Sequence, residues 1–350
     1  MILREASLSR LQKWREKPIF SMRNELRDNG VYARYTSGTL ANRGSTLMRF
    51  YNIRPITILL TVFLFQVGTA LGLAPEIIPH RGGKGERPEN IIQSFQDCVA
   101  LGATSLELDV QVTKDGLAVV YHPGDLSANT DGKGKVNEFS YDELQKLDAA
   151  YKFEKNGTFP QRGRGHKIPL LEEVLIRFPT TNIIVDLKSL PADKVIEAVA
   201  KVAVELKAWD RLVFYSTDDS HLLYLKKNYP QAKSFESRKN TVEELLNVTG
   251  STELSKTEEP IWLGFELVRQ LKVTEKLALG DAEYPVNLLV WTEPGIKRIR
   301  EKLPQAKFVL FGINTVEDYQ KAETLGAYAV YSDNPTLLVN FRKTNDRKSS

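Results

Sequence analysis

Two histidines, an arginine and several carboxylates crowd one stretch of the sequence, from Ile77 to His122. A short apolar run ends in His80-Arg81, a second ends in Glu107-Leu-Asp109, and a third ends in His122. Side chains alternate between the two faces of an extended strand. Glu107 and Asp109 therefore share one side, while Leu106, Leu108 and Val110 share the other. Glu89 lies between the first two runs, and a later apolar run ends in Asp186-Leu-Lys188. Buried charges are costly unless paired or bound to metal, so this inventory at strand ends is expected to form an active site rather than core.

Carboxylates alone as ligands select a hard divalent cation, Mg2+ or Ca2+, over zinc. Glu107, Asp109 and Asp186 can converge from neighbouring strands, with Glu89 expected beside them. His80 and His122 are then free to move protons as general base and general acid. Arg81 and Lys188 place positive charge where phosphoryl oxygens would carry negative charge. The set suits phosphodiester cleavage better than glycoside hydrolysis, for which a pair of carboxylates suffices. Trp291 ends another apolar run, where it either packs against the substrate or leaving group or belongs to the core.

These residues need a scaffold that gathers strand ends. Strand-like runs at 105–110, 182–187, 212–215, 232–235, 286–291, 307–311 and 328–331 alternate with helix-like segments such as 90–101, 192–206, 219–228 and 316–325. Ser140 with Glu143 three residues on is the signature of a helix capping box. Repeated strand–helix units predict a mostly parallel sheet covered by helices. No strand leads into a nucleotide-binding glycine fingerprint, and polar residues collect where strands end. A TIM (β/α)8 barrel is therefore expected rather than a doubly wound sheet. Residues 236–285, with one helical piece around 265–271, read as an insertion between the sixth and seventh strands. The barrel is expected over 76–342, followed by a polar tail at 343–350.

The chain has 350 residues, 42% hydrophobic and 26% charged, which is ordinary globular composition. One cysteine, Cys98, excludes an intrachain disulfide framework and reads as a small buried hydrophobe. The formal charge of +4 is local: residues 1–54 hold eleven Lys and Arg against four Asp and Glu, leaving about −3 for the remainder. Nucleic acid is therefore not the expected partner of the folded part.

From Pro55 to Pro75 no residue is charged, and Arg49 and Arg54 precede this stretch. A basic flank, a short apolar core and small residues after it describe a secretory signal, although the stretch could just span a bilayer. Export with a cleaved signal is expected over a retained anchor at 48–75, and any membrane association would run through 55–75. The preceding basic extension, 1–47, is expected to be disordered or untranslated, with a start at Met48. The composition leaves the oligomeric state open. His221, near the start of a helix, reads as a surface or capping group.

The order His80-Arg81-Gly82, Arg87-Pro88-Glu89-Asn90, Glu107-Leu-Asp109-Val110, Thr113-Lys-Asp-Gly116 and His122 resembles the glycerophosphodiester phosphodiesterase family. That family is similar in fold and mechanism to phosphatidylinositol-specific phospholipases C. The resemblance covers about 76–340 and continues through Ile168-Pro-Leu-Leu-Glu-Glu-Val174, Asp186-Leu-Lys188 and Tyr331-Ser-Asp-Asn-Pro335. It implies a TIM barrel that hydrolyses glycerophosphodiesters to sn-glycerol 3-phosphate and an alcohol. By the same resemblance His80 and His122 take the acid/base positions, Arg81 and Lys188 meet the phosphate, and Glu107 and Asp109 bind metal, with Glu89 in the same site. Asp186 stands where the family commonly has glutamate. Pro123 replaces the aspartate usual after the second histidine, and the family's Trp-Thr-x-Asn signature is divided between Trp291-Thr292 and Gly312-Ile-Asn314. A lysophospholipase D-type reaction on lipid phosphodiesters is the alternative, to be favoured by an apolar surface beside the site.

Overall fold

The computed structural model describes residues 74–246 and 261–349. The expected basic extension, and the signal or anchor segment apart from Ala74 and Pro75, lie outside the described residues. In chain order the strands are β1 (Glu76–Pro79), β2 (Ser105–Val112), β3 (Ala118–Val120), β4 (Asn182–Leu187), β5 (Leu212–Tyr215) and β6 (Lys233–Ser234). They continue with β7 (Trp262–Glu266), β8 (Val268–Leu277), β9 (Gly280–Leu289), β10 (Lys307–Phe311) and β11 (Ala329–Ser332).

Eight of these strands form the barrel: β1, β2, β4, β5, β6, β7, β10 and β11. They pair in parallel as two sheets, β1-β11-β10-β7 and β2-β4-β5-β6, with β3 added antiparallel to the outside of β2. Among the described residues, the isolated Phe235–Trp262 bridge is what joins the sheets between β6 and β7. Where β1 lies beside β2, no backbone ladder runs among the described residues.

The alternation of strand side chains separates the barrel interior from the helix layer. Ile78, Ile184, Val213, Tyr215, Val309 and Tyr331 fill the interior. Leu106, Leu108 and Val110 face the other way and join the packing against the helices. Interior packing is tight at Gly264, where any Cβ would meet the rings of Phe311 and Phe235 at 2.5 and 2.7 Å. Helices α1 (Ile92–Leu101), α2 (Tyr141–Leu144), α3 (Leu171–Arg177), α4 (Ala192–Glu205), α5 (Asp219–Asn228), α6 (Arg238–Leu246), α7 (Glu293–Lys302), α8 (Val316–Thr324) and α9 (Pro335–Ser349) surround the strands. The Ser140–Glu143 capping box forms as expected at the start of α2.

Four expectations need correction. The sixth barrel strand is β7, within the segment read as insertion and helix. Residues 286–291 do not form a barrel strand, because they begin as the return strand of the β8–β9 hairpin. The polar tail is the last part of α9, which runs through Ser349. His221 is buried, with Nδ1 bonded to Ser216 Oγ at 2.8 Å and Nε2 to the Ser189 carbonyl at 2.7 Å. Cys98 is buried as expected, with its thiol pushed up to about 12 by burial.

Candidate active site

Strand β2 brings Glu107 and Asp109 to the carboxyl end of the barrel on its inner side. Parallel pairing sets Asp109 beside Asp186 on β4. One oxygen from each of Glu107, Asp109 and Asp186 lies within 4.8 Å of the others, and all three residues are buried. Two residues beyond Asp186, the Lys188 ammonium lies 2.6 Å from Asp186 Oδ2 and 3.3 Å from Asp109 Oδ1.

The turn after β1 completes this group. His80–Gly82 forms a single tight turn in which Arg81 has φ 54°, and Asn90 has φ 58°. Non-glycine residues rarely adopt this left-handed region, and doing so costs of order 1–3 kcal/mol unless surrounding contacts impose it. Those contacts are evident here. The Arg81 backbone N–H donates to Glu107 Oε2 at 2.7 Å, and its Nε lies 3.2 Å from Asp109 Oδ2. Asn90 donates from Nδ2 to Asp109 Oδ2 at 2.8 Å and accepts from the Asp109 backbone N–H at 3.3 Å. The turn thus places one arginine in contact with two carboxylates of the triad.

The two histidines are held differently. His80 Nδ1 meets Asp333 Oδ1 at 2.6 Å, and its ring stacks over Tyr331. Asp333 is itself fixed: its backbone N–H donates to Asn314 Oδ1 at 2.7 Å, and its carboxylate pairs with Lys84 Nζ at 3.1 Å. His122 follows β3 on a loop pinned by Gln111, whose amide donates to the carbonyls of Tyr121, His122 and Pro123 at 3.0, 3.3 and 2.8 Å. Gln111 therefore positions the loop in which Pro123 replaces an acid. Asp125 does not fill that vacancy; its carboxylate caps the turn at Ser127.

Electrostatics separate the three central carboxylates. Burial, joined by the neighbouring Asp109, pushes Glu107 well above the usual carboxylate range. Burial likewise raises Asp186 to about 7, against the pull of Lys188. Burial would raise Asp109 too, but Arg81 and Lys188 outweigh it and hold Asp109 low. Burial also lowers His122 to about 4, with Arg81 and Lys188 adding to the effect and Asp109 opposing it. Oδ1 of Asp109 and Oδ1 of Asp186 are buried without a hydrogen bond among the described residues. The orphaned Asp186 oxygen, beside an Asp109 oxygen that faces the Lys188 ammonium without a hydrogen bond, fits a hard cation, which takes oxygen ligands and supplies positive charge. These three residues can hold a metal ion.

Two expected site residues stand elsewhere. Glu89 does not join the triad: its Oε2 accepts from Arg81 Nη1 at 3.1 Å and its Oε1 from Asn129 Nδ2 at 2.8 Å, with His122 Nδ1 at 3.9 Å. Its charge is already directed to Arg81, so it orients the arginine and borders His122. Trp291 is fully buried between barrel and helices, tilted against Phe308, with Nε1 donating to the Phe265 carbonyl at 3.1 Å. This burial places it in the core, the second of the two places expected for it.

Asp333 was visible in the sequence only as a polar strand end, and its pairing with His80 spans 253 residues. Burial pulls its carboxyl upward, but His80 and Lys84 outweigh this and hold it at about 2. A depressed carboxyl contributes stability above its unfolded value near 3.9, and that contribution is lost as pH falls through the folded value. Asp333→Asn is therefore expected to cost about 2 kcal/mol near pH 7 and almost nothing near pH 2. Denaturant melts across that range check it; a pH-independent difference would contradict the assignment.

An eightfold barrel with this set at the carboxyl ends of its strands is a scaffold for phosphoryl chemistry assisted by a hard cation. Comparison with known proteins makes the class specific. Residues 80–337 match the model of the glycerophosphoryl diester phosphodiesterase family. The crystal structure of such a domain from an uncharacterized Mycobacterium tuberculosis protein has TM-score 0.67 and 33% identity, covering 77% of this chain and 99% of that one. The corresponding protein of that organism is 34% identical over 272 residues, 77% of this chain and 90% of its own. Glycerophosphodiester phosphodiesterase of Caldanaerobacter subterraneus is 33% identical over 165 residues, 45% of this chain and 64% of its own. Mouse lysophospholipase D is 28% identical over 280 residues, 75% of this chain and 85% of its own. The chain belongs to the glycerophosphoryl diester phosphodiesterase family, and the TIM barrel expected from its sequence is the fold found.

Proposed function

We propose that this phosphodiesterase hydrolyses glycerophosphodiesters to sn-glycerol 3-phosphate and an alcohol, using one Ca2+ or Mg2+ held by Glu107, Asp109 and Asp186. The observation that carries the reading is the buried carboxylate triad, in which Asp186 Oδ1 has no hydrogen bond among the described residues, beside Arg81 and Lys188. When bound, the cation would supply Lewis-acid polarisation of a phosphoryl oxygen. Arg81 and Lys188 add fixed positive charge around the phosphate. With Nδ1 of His80 directed to Asp333, its Nε2 is left to take the proton of the attacking oxygen. His122 gives its proton to the departing alcohol oxygen as the P–O bond breaks. His122 is low in the free protein, and the negative charge of bound substrate opposes the effect of Arg81 and Lys188 that helps to keep it there. The substrate is a small or lipid-derived phosphodiester, and the expected export through 48–75 would place the reaction outside the cytoplasm.

The decisive comparison is turnover of glycerophosphocholine and lysophosphatidylcholine with Ca2+, with Mg2+ and with EDTA. Glycerophosphocholine is expected to be hydrolysed with either metal and not with EDTA. Undiminished activity in EDTA would refute the assigned role of the triad. A second reading, lysophospholipase D activity, is favoured by the exposed apolar hairpin face on β8 and β9 and is consistent with the mouse relative. Faster release of choline from lysophosphatidylcholine would select it.

A further inference from the structure

The β8–β9 hairpin leaves the barrel at the carboxyl end of β7, the end on which the site opens. Its root is fixed where the Val290 N–H donates to the Leu267 carbonyl at 3.1 Å and Trp291 bonds Phe265 at 3.1 Å. Beyond the root, the two strands pair only with each other among the described residues, from Val268↔Leu289 to Leu277↔Gly280. Cross-strand partners share a face. Leu271 with Val286, Val273 with Tyr284, and Leu277 therefore lie on one side, all exposed, together with Arg269 near the root and Glu275 between Val273 and Leu277, and Leu279 is fully exposed at the tip. The other side carries Lys272, Thr274, Lys276, Asp281 and Glu283, with Lys272 paired to Glu283. A lone two-stranded ribbon is marginal in water, and apolar side chains gathered along one side and at the tip of such a ribbon mark a contact surface.

We infer that this face and tip dock on a zwitterionic lipid surface. Three observations favour that occupant. Residues 268–289 carry three basic and three acidic side chains, so no net charge selects an acidic or basic partner. The tip is apolar at Leu277, Ala278 and Leu279, while Lys272, Lys276 and Tyr284 sit farther back, where an interfacial belt would lie. A ten-residue two-stranded face offers about 330 Å2, so two copies face to face would bury about 700 Å2, short of the roughly 1,200 Å2 of a stable dimer. The segment 247–260, which precedes β7, has only Val248 and Leu254 as large apolar residues and is a poor cover. Docking would hold the open end of the barrel at a lipid surface, whichever alcohol the enzyme releases.

The test reads lipid contact at the tip, so it does not depend on turnover or on any contact made by residues 55–75. Cys98 is buried, so Leu279→Cys in the full chain offers one accessible thiol for an environment-sensitive fluorophore. On adding phosphatidylcholine vesicles the label is expected to shift to the blue and brighten about threefold, as on entry into an interface. The same labelled protein with Leu277→Asp should lose most of that change while hydrolysing glycerophosphocholine at the unaltered rate. An unchanged spectrum with vesicles would overturn the inference. So would a blue shift that rises with protein concentration alone, which would make a second copy the occupant. A shift insensitive to Leu277→Asp would also overturn it, because the face would then not be the contact.

Discussion

Asp109→Ala is expected to abolish measurable hydrolysis and to remove about 3–5 kcal/mol of stability, the usual effect of breaking a buried charge pair. Asp109 is fully buried and is the common partner of Arg81, Lys188 and Asn90. Alanine would leave the buried Arg81 guanidinium with Glu89 and the Lys188 ammonium with Asp186 as their remaining ion-pair partners, and deprive the cation of one ligand. For a domain of this size, that stability loss corresponds to a fall in Tm of roughly 6–20 °C. Asp109→Asn separates the two effects. It retains hydrogen bonding to Asn90, so it should melt closer to the wild type while remaining inactive. The Tm increment on adding Ca2+ or Mg2+, present in the wild type, should shrink sharply in both variants. A variant that keeps this increment and full turnover would remove Asp109 from the site.

The histidines are expected to give the opposite pattern, with large effects on rate and small effects on stability. His80→Ala and His122→Ala should each lower kcat by about 10²- to 10⁴-fold, the range for loss of a positioned acid or base. Their side chains are 24% and 32% exposed, so truncation opens no deep cavity; His122→Ala should hardly move the melting temperature, and His80→Ala should lower it only by the share of the Asp333 stabilisation that His80 supplies. A glycerophosphodiester with p-nitrophenol as leaving group distinguishes their roles, because that alkoxide leaves without protonation. His122→Ala should recover much of its rate on this substrate, and His80→Ala should not. Recovery by His80→Ala alone would exchange the two roles. Recovery by neither would mean that His122 is not the acid.

The parts of the site legible in the sequence are those governed by local rules. Alternation along β2 placed Glu107 and Asp109 together, and hydrophobic runs ending in charge marked His80, His122, Asp186 and Lys188. Pairings set by closure of the barrel were not legible. The Asp333–His80 contact joins opposite ends of the chain, and the grip of Glu89 on Arg81 depends on a left-handed turn that no pattern of residue types announces. The sixth strand was missed because Phe265, Leu267, Val268 and Leu271 have spacings compatible with a helix. The strand before it, β6, has only two residues. Residues 286–291 resembled a barrel strand because β9 carries an apolar face in solvent, and composition does not distinguish that face from a buried one. Trp291 was then drawn toward the substrate by its apparent place at a strand end.

The barrel's two incomplete seams give the molecule the character of a two-piece lock. Strands β2 to β6 come from one continuous stretch of chain, whereas β1 returns to join β7, β10 and β11 from the far end. His80, Arg81 and Asp333 belong to one piece; Glu107, Asp109, His122, Asp186 and Lys188 belong to the other. Between β1 and β2, the bonds of Arg81 to Glu107 and Asp109 bridge a seam that has no ladder. Neither piece carries a complete set of chemical groups, so turnover reports the meeting of the halves as directly as it reports the chemistry. If the protein were expressed as two fragments divided between β6 and β7, β1 with His80 and Arg81 would stay with β2 to β6, and recovered activity would measure the return of β7, β10 and β11, with Asp333, to the edge of β1.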